Sequence, residues 1–469
     1  MSFYSTVVVI TDQYPPSVTG GAELSLHAQI SSAKLEATKV VVIALDPTGR
    51  KQKNYRHEGV EVHRVPFDDR WPVFAGAPSR KTRYLGAIKE TAARLSEFDL
   101  GALEKMRTVV TMHKRYPTAL GRLPNFDQYA LQKHPAIATI RALVERFRAD
   151  VIHADNYRSI VIAAALNTEI PVVSSVRDNR FFCAHRNQAM NIKGVICESC
   201  RFECTQGALE PALERKLQDY MAEAMEIRHA ALRQSAAIVA TSEYLATELA
   251  GRFPAVPVER ISNITESPNE IEKMTAGIKQ ASPPEILCVG MIGHNKGQNT
   301  LISLLPKLCE QVPDCRIVLA GRGAMTNALQ AKLRKFELQD KVVFAGFLTR
   351  PELYRAYARA SVVVCPNIWP EPFGRVPLEA ALASKPVVAF DTGGLAENIV
   401  HQETGLLAKP GDVDALTEHL VTLVLDPAKC REMGSAARQM GEQRHAELRP
   451  GFQLEQLWQR IIETNKQAE

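Results

Sequence analysis

The chain opens with a continuous apolar, β-branched run at residues 6–10, the pattern of a strand covered on both faces. Further strands are expected at 40–44, 60–65, 150–153, 171–176 and 236–240. Segments in which apolar residues return every three to four positions separate them, at 23–34, 135–148, 160–166 and 208–234. The same alternation resumes after residue 285, with strands at 286–289, 316–320, 341–345 and 361–365 and helices at 298–310, 325–336, 350–358, 413–425 and 428–444. Strand–helix alternation of this kind predicts parallel, doubly wound α/β sheets whose ligands bind beyond the carboxyl ends of the strands.

The pattern divides the chain. Residues 1–262 form one predicted domain, and 66–130 is its least regular part. Residues 263–284, TESPNEIEKMTAGIKQASPP with the two residues before it, mix charge, proline and small side chains and read as a hinge. Residues 285–448 form a second domain, and 449–469 contain a final amphipathic helix. A length of 469 residues suits two cores better than one.

Composition adds little that is unusual. The chain is 45% apolar and 23% charged, as soluble globular proteins are. Its net charge of +5 is mild, and no nucleic-acid partner is expected. Basic residues concentrate in the first half, including Arg50, Lys51, Lys53, Arg80, Lys81, Arg83, Lys114 and Arg115. They suit a solvated surface or peripheral contact with anionic lipid, and both readings stay open. No apolar run approaches the ~18 residues of a membrane span. The first residues resemble a strand and loop rather than a signal peptide, so a cytoplasmic protein is expected, with the inner face of the membrane as a further option.

Candidate chemistry clusters in four places. The segment after residue 10 contains Gly20 and Gly21 ahead of a helix, where backbone N–H groups meet an anion well. Asp155, Asn156, Arg177 and Asp178 lie just past two strand ends, and His153 with them. Cys183, Cys197, Cys200 and Cys204 crowd one stretch (181–205), which fits a structural zinc site, a disulfide or packed thiols. Four thiolates would close such a zinc to water, so it would order the loop rather than catalyse. The other five cysteines are scattered and read as small core residues.

The fourth place organises the rest. Residues 365–400 read CPNIWPEPFGRVPLEAALASKPVVAFDTGGLAENIV, with Glu371 in a loop and Glu379 in the first turn of a helix. This stretch, with Gly290–Gly297 before it and TGLLAKPGD after it, resembles the donor-sugar site of retaining GT-B glycosyltransferases of family 4, in the subset with a cysteine-bearing loop. The resemblance implies two Rossmann-like domains facing a cleft, the first binding acceptor and the second a nucleotide sugar. It implies that Lys296 neutralises the donor diphosphate, that Glu371 contacts the sugar at the reacting centre, and that Glu379 holds the ribose. Gly20, Gly21, Phe373, Gly374, Arg375, Gly393 and Gly394 would surround the donor, with Phe347 and Leu348 against its base. The final helix would cross back onto the first domain.

Two departures from the family pattern stand out. Met291 occupies the position of an arginine that normally shares the phosphate charge, a gap that Arg375 or Arg322 could fill. Arg177-Asp178 replaces a His-Asp pair, which disfavours acid–base work and favours an anionic acceptor group. The expected activity is transfer of a hexose-type sugar from a nucleoside diphosphate to a lipid-linked or polysaccharide acceptor, with no metal at the reaction centre. The alternative is a non-catalytic GT-B scaffold or sugar-binding subunit. A glycosidase acid–base pair is a weaker option: eight helical residues would span ~12 Å where its carboxylates need about 5–9.5 Å, but part of the spacing is loop, and it is the anion-binding surroundings that disfavour it.

Overall fold

The computed structural model describes residues 5–16, 21–32, 38–46, 54–67, 134–183 and 211–468. The chain divides into two compact units: residues 1–240, 246–261 and 451–469, and residues 241–245 with 262–450.

In the first unit, β1 (Ser5–Thr11), β2 (Thr38–Asp46), β3 (Tyr55–His57), β4 (Val60–Pro66), β5 (Val151–Asp155), β6 (Val172–Val176), β7 (Ala237–Ala240) and β8 (Val258–Arg260) make one sheet. Its order is β3-β4-β2-β1-β5-β6-β7-β8. Every pair is parallel except the β3–β4 hairpin. The helices are α1 (Gly21–Ser32), α2 (Ala136–Phe147), α3 (Asn156–Ala165), α4 (Pro211–Arg233) and α5 (Glu243–Arg252). The central strands are buried because each carries Val, Ile or Ala on both faces: Val7, Val8, Val9 and Ile10 all lie at 0% exposure.

The second unit holds β9 (Glu285–Val289), β10 (Arg316–Ala320), β11 (Val342–Gly346), β12 (Val362–Cys365), β13 (Val387–Phe390) and β14 (Gly405–Ala408). They form an all-parallel sheet in the order β11-β10-β9-β12-β13-β14. Around it lie α6 (Pro268–Thr275), α7 (Gln298–Gln311), α8 (Thr326–Phe336), α9 (Arg350–Arg359), α10 (Arg375–Leu382), α11 (Gly393–Ala396), α12 (Val413–Leu425) and α13 (Pro427–Glu447). Both sheets are Rossmann-like, as the alternation of periods predicts.

The last helix, α14 (Pro450–Ala468), belongs to the first unit. Its Leu454, Leu457, Trp458 and Ile462 pack with Val7, Val9, Val151 and Val173 of the sheet. The segment read as a plain hinge contains α6, whose start is fixed by a capping box. Ser267 Oγ accepts from the Glu270 N–H at 3.3 Å, and Glu270 accepts from the Ser267 N–H at 2.9 Å. Ile271, fully buried, joins this helix to Leu353, Tyr354 and Tyr357. Among the described residues, no helix is long and apolar enough to cross a membrane.

Candidate active site

The second unit gathers its chemistry at the carboxyl ends of β9 and β12. After β9 the chain turns through Gly290–Gly293 into a single 3-10 turn, His294–Lys296, and then enters α7. Gly297 closes that turn with φ 71°, in the left-handed region. A Cβ on it would sit 1.6 Å from the Pro366 carbonyl oxygen, so only glycine lets this turn lie against the loop after β12. That contact brings Lys296 to Glu371. Lys296 Nζ donates to both carboxylate oxygens of Glu371, at 2.9 and 2.7 Å. Asn367 Nδ2 and Trp369 Nε1 donate to Oε2 at 2.6 and 3.0 Å. The ammonium also lies 5.2 Å from the centre of the Trp369 ring. Glu371 is thus a carboxylate held in one orientation, with a cation at its side.

Glu379, 3% exposed, sits in a separate cluster. Arg350 donates to its Oε1 at 3.2 and 3.1 Å, Arg375 Nε reaches the same oxygen at 3.3 Å, and Tyr357 OH donates to Oε2 at 2.9 Å. Arg350 also pairs with Glu266, which accepts from Tyr354 OH at 2.8 Å. Burial pushes the Glu266 carboxyl up, but the hydrogen bond and charge of Arg350 outweigh it, and Glu266 lies below the usual carboxylate range. The same two carboxylates hold Arg350 firmly protonated against its own burial.

The loop between Glu371 and α10 is shaped by close packing. Gly374, at φ 76°, lies where a Cβ would meet the Leu395 backbone at 2.6 Å. Phe373 is buried, and its carbonyl accepts from Asn398 Nδ2 at 2.9 Å. No side chain caps α10, which begins at Arg375. Gly393 and Gly394 open the four-residue α11. The Gly394 N–H donates to the Glu371 carbonyl at 2.7 Å, so this amide orients the Glu371 loop. Phe347, beyond β11, is 67% exposed, and Leu348 is half-buried. Met291 is 61% exposed, and the Ile292 N–H donates to the carbonyl of exposed Arg322 at 3.1 Å, which places these two loops side by side. Arg375 faces Glu379 at 3.2 Å rather than standing apart as a phosphate ligand.

Below the loops, burial pushes the Cys288 thiol up to about 12 and the Cys365 thiol well above its ordinary value. Both are protonated core groups and poor nucleophiles.

In the first unit the residues past the strand ends are largely interior. Asp155 is fully buried and pairs with Arg177 Nε, while Arg177 Nη2 donates to Gln29 Oε1 at 2.7 Å. With its side chain 3% exposed, Arg177 is a buried partner of Asp155 and not an open anion site. Asp178 caps a 3-10 turn by accepting from the Arg180 N–H at 2.9 Å, and Asn156 begins α3 at φ 76°. Arg180 lies over the Tyr157 ring at 4.2 Å, and Arg158 faces Asp12 at 3.6 Å. His153 is fully buried: Trp458 Nε1 donates to its Nδ1 at 3.0 Å, so its Nε2–H donates to Ser175 Oγ at 2.8 Å. Gly21 is the first residue of α1. Cys183 is buried, and its carbonyl accepts from Arg228 at 3.3 Å. Gly20, Cys197, Cys200, Cys204 and the basic residues at 50, 51, 53, 80, 81, 83, 114 and 115 lie outside the described residues.

Comparison with known proteins decides the family. Residues 270–440 match the model "Glycosyl transferases group 1", and residues 112–264 match "Glycosyl transferase 4-like domain". The chain is a glycosyltransferase with a group 1 domain and a 4-like domain. This glycosyltransferase is 25% identical over 439 residues to a glycogen synthase of Mycobacterium tuberculosis, spanning 92% of the chain and 89% of the relative. Among solved structures it resembles sucrose-phosphate synthase of Thermosynechococcus elongatus, with a TM-score of 0.66 at 16% identity over 98% and 100% of the two chains. It also resembles HepE of Anabaena in complex with UDP and glucose, with a TM-score of 0.60 at 18% identity over 97% and 99%. The two structural likenesses establish the GT-B fold.

Sequence reasoning missed Arg350, Glu266, Tyr354 and Tyr357 in this glycosyltransferase. Two signals were present: the Ser267–Glu270 capping box ahead of an apolar Ile271, and an arginine at the start of α9 directly after its Thr349 cap.

Proposed function

We propose that this glycosyltransferase is a retaining hexosyltransferase that uses a nucleoside-diphosphate sugar and a glycan or lipid-linked acceptor. The observation that carries this reading is the Lys296–Glu371 pair, oriented by Asn367 and Trp369 at the strand ends of the second unit. Lys296 would meet the diphosphate and stabilise the charge that grows on it as the glycosidic bond breaks. Glu371 would then turn its carboxylate to the hydroxyls of the donor sugar, and Glu379 would accept from the ribose hydroxyls while Arg350 and Arg375 hold it in place. The GT-B neighbour with UDP and glucose supports a nucleotide donor of this class. The anionic end of an acceptor, a phosphorylated lipid at the cytoplasmic face of a membrane among them, would meet Arg180 and Arg158 rather than Arg177. No metal is required at the reacting centre, since Lys296 supplies the positive charge. Zinc in the cysteine loop, if held, would only order it.

Incubation with UDP- and GDP-hexoses and a panel of glycan acceptors tests the proposal. Release of nucleoside diphosphate that depends on acceptor, and a product whose anomeric configuration matches the donor by NMR, are expected. An inverted product would overturn the retaining assignment. The exposed Met291 favours a second reading, a sugar-binding subunit without turnover. Donor binding by calorimetry without any release across the panel would establish that reading instead.

A further inference from the structure

The first unit contains a cluster of metal-ligating side chains that the transfer reaction does not use. His27 projects from α1, while His57 ends β3 and Glu58 begins the turn into β4. One ring nitrogen of each histidine and one oxygen of Glu58 lie within 4.8 Å of one another. His27 Nε2 is 3.0 Å from Glu58 Oε2, and the two imidazoles have centroids 4.8 Å apart. We propose that His27, His57 and Glu58 bind a divalent transition ion of the zinc class.

Three features of the site support that ion class. Two imidazoles and one carboxylate are the donors that borderline divalent ions prefer, and three protein ligands leave a position for water. His27 Nδ1 lies 2.9 Å from the hydroxyl of Tyr14, a side chain 1% exposed, so the ring is held with Nε2 toward Glu58. A buried partner that fixes the far nitrogen is what ligating histidines ordinarily have. Tyr14 is itself held in place, because Tyr55 OH donates to the Tyr14 and Pro15 carbonyls at 3.1 and 2.6 Å. A tetrahedral ion with bonds of ~2.0–2.2 Å needs its donors drawn closer than 4.8 Å. Half-buried His57 and exposed Glu58, both at the hairpin end, have room to turn inward. The ion would clamp α1 to the β3–β4 hairpin, beside the connection that leaves the carboxyl end of β1.

Cobalt(II) titration of the full chain under reducing conditions tests the site. Nitrogen and oxygen ligands give visible d–d absorption without the near-ultraviolet sulfur-to-cobalt charge transfer of thiolates, so the cysteine loop is read separately in the same spectrum. The expected result is such a band in the native protein, lost in His57→Gln and Glu58→Gln. In Tyr14→Phe the band stays, with affinity weaker by about 10–100-fold. Zinc should also raise the Tm of the native protein by more than that of either hairpin variant. No visible band, or a band unchanged in both variants, overturns the proposal. Because the native spectrum alone can fail, a misfolded variant does not protect the idea.

Discussion

Lys296 and Glu371 neutralise each other in the free protein, so donor binding must exchange their salt bridge for contacts to diphosphate and sugar. Replacing Lys296 by Ala removes the cation that meets the leaving group and leaves Glu371, among the described residues, with the two neutral donors Asn367 and Trp369. Loss of a charge-stabilising donor typically costs about 10²–10³ in kcat, and Lys296→Ala and Glu371→Gln are expected to fall in that range by steady-state assay. Retention of more than half the activity would remove the pair from the chemistry. Arg350→Met acts differently, since it loosens Glu379 without touching the sugar. It should raise the KM for donor several-fold with little change in kcat, because ribose contacts hold ground and transition states alike. Met291 offers the opposite test. It is exposed on the loop that leads to Lys296, where a second cation would share the diphosphate charge. Met291→Arg is expected to lower the Kd for nucleoside diphosphate several-fold by calorimetry, with the gain shrinking as salt rises.

At the level of elements, the site exists because loops from different strands approach more closely than side chains allow. Gly297 touches Pro366, Gly374 touches Leu395, and Gly394 touches Pro372, each at a distance that a Cβ would violate. Gly297→Ala combines left-handed strain of roughly 1–3 kcal/mol with a backbone clash. It should lower the Tm of the second unit and, where protein remains folded, displace Lys296 and cut activity; an unchanged Tm would show that the turn can move. The glycines were visible in the sequence, but the role it suggested for Gly394, an amide for the donor, differs from the one the structure shows, an amide for the Glu371 carbonyl. The strands were legible for a simple reason: parallel sheets covered on both faces require runs such as Val7–Ile10, which little else produces. Lys296 and Glu371 were legible because each sits in a local motif at a strand end. The partners of Glu379 were not, since Glu266 and Arg350 come from two other segments and each alone looks like an ordinary charge near a helix start. The metal-ligating histidines were hidden in the same way, one on a helix and one on a hairpin.

Over the whole chain, the last helix returns to the first sheet and is fastened there by a polar contact inside an apolar core. Trp458 and His153, 305 residues apart in sequence, meet at 3.0 Å with Ser175 on the far side of the ring. Burial, reinforced by the nearby Arg177 charge, lowers the His153 pKa to about 3. An unfolded histidine titrates near 6.5. Above that pH the residue is neutral in both states, and its contribution to stability is complete. As the pH falls from about 6.5 toward 3, the unfolded chain takes up a proton that the folded chain refuses, so stability falls by up to ~1.4 kcal/mol per pH unit. Thermal unfolding between pH 7.5 and 4 should therefore show a falling Tm. His153→Gln should start lower at pH 7.5 but decline less steeply, the remaining slope coming from other histidines such as half-buried His229, whose pKa burial also lowers. Trp458→Phe keeps an aromatic ring in the core but removes the donor to Nδ1 and part of the indole volume, so it should lose at least about 1–3 kcal/mol at pH 7.5 while its pH slope persists. Parallel profiles for the native protein and His153→Gln would mean that the acid sensitivity of the first unit originates elsewhere, and that the fastening of the last helix does not depend on a neutral imidazole.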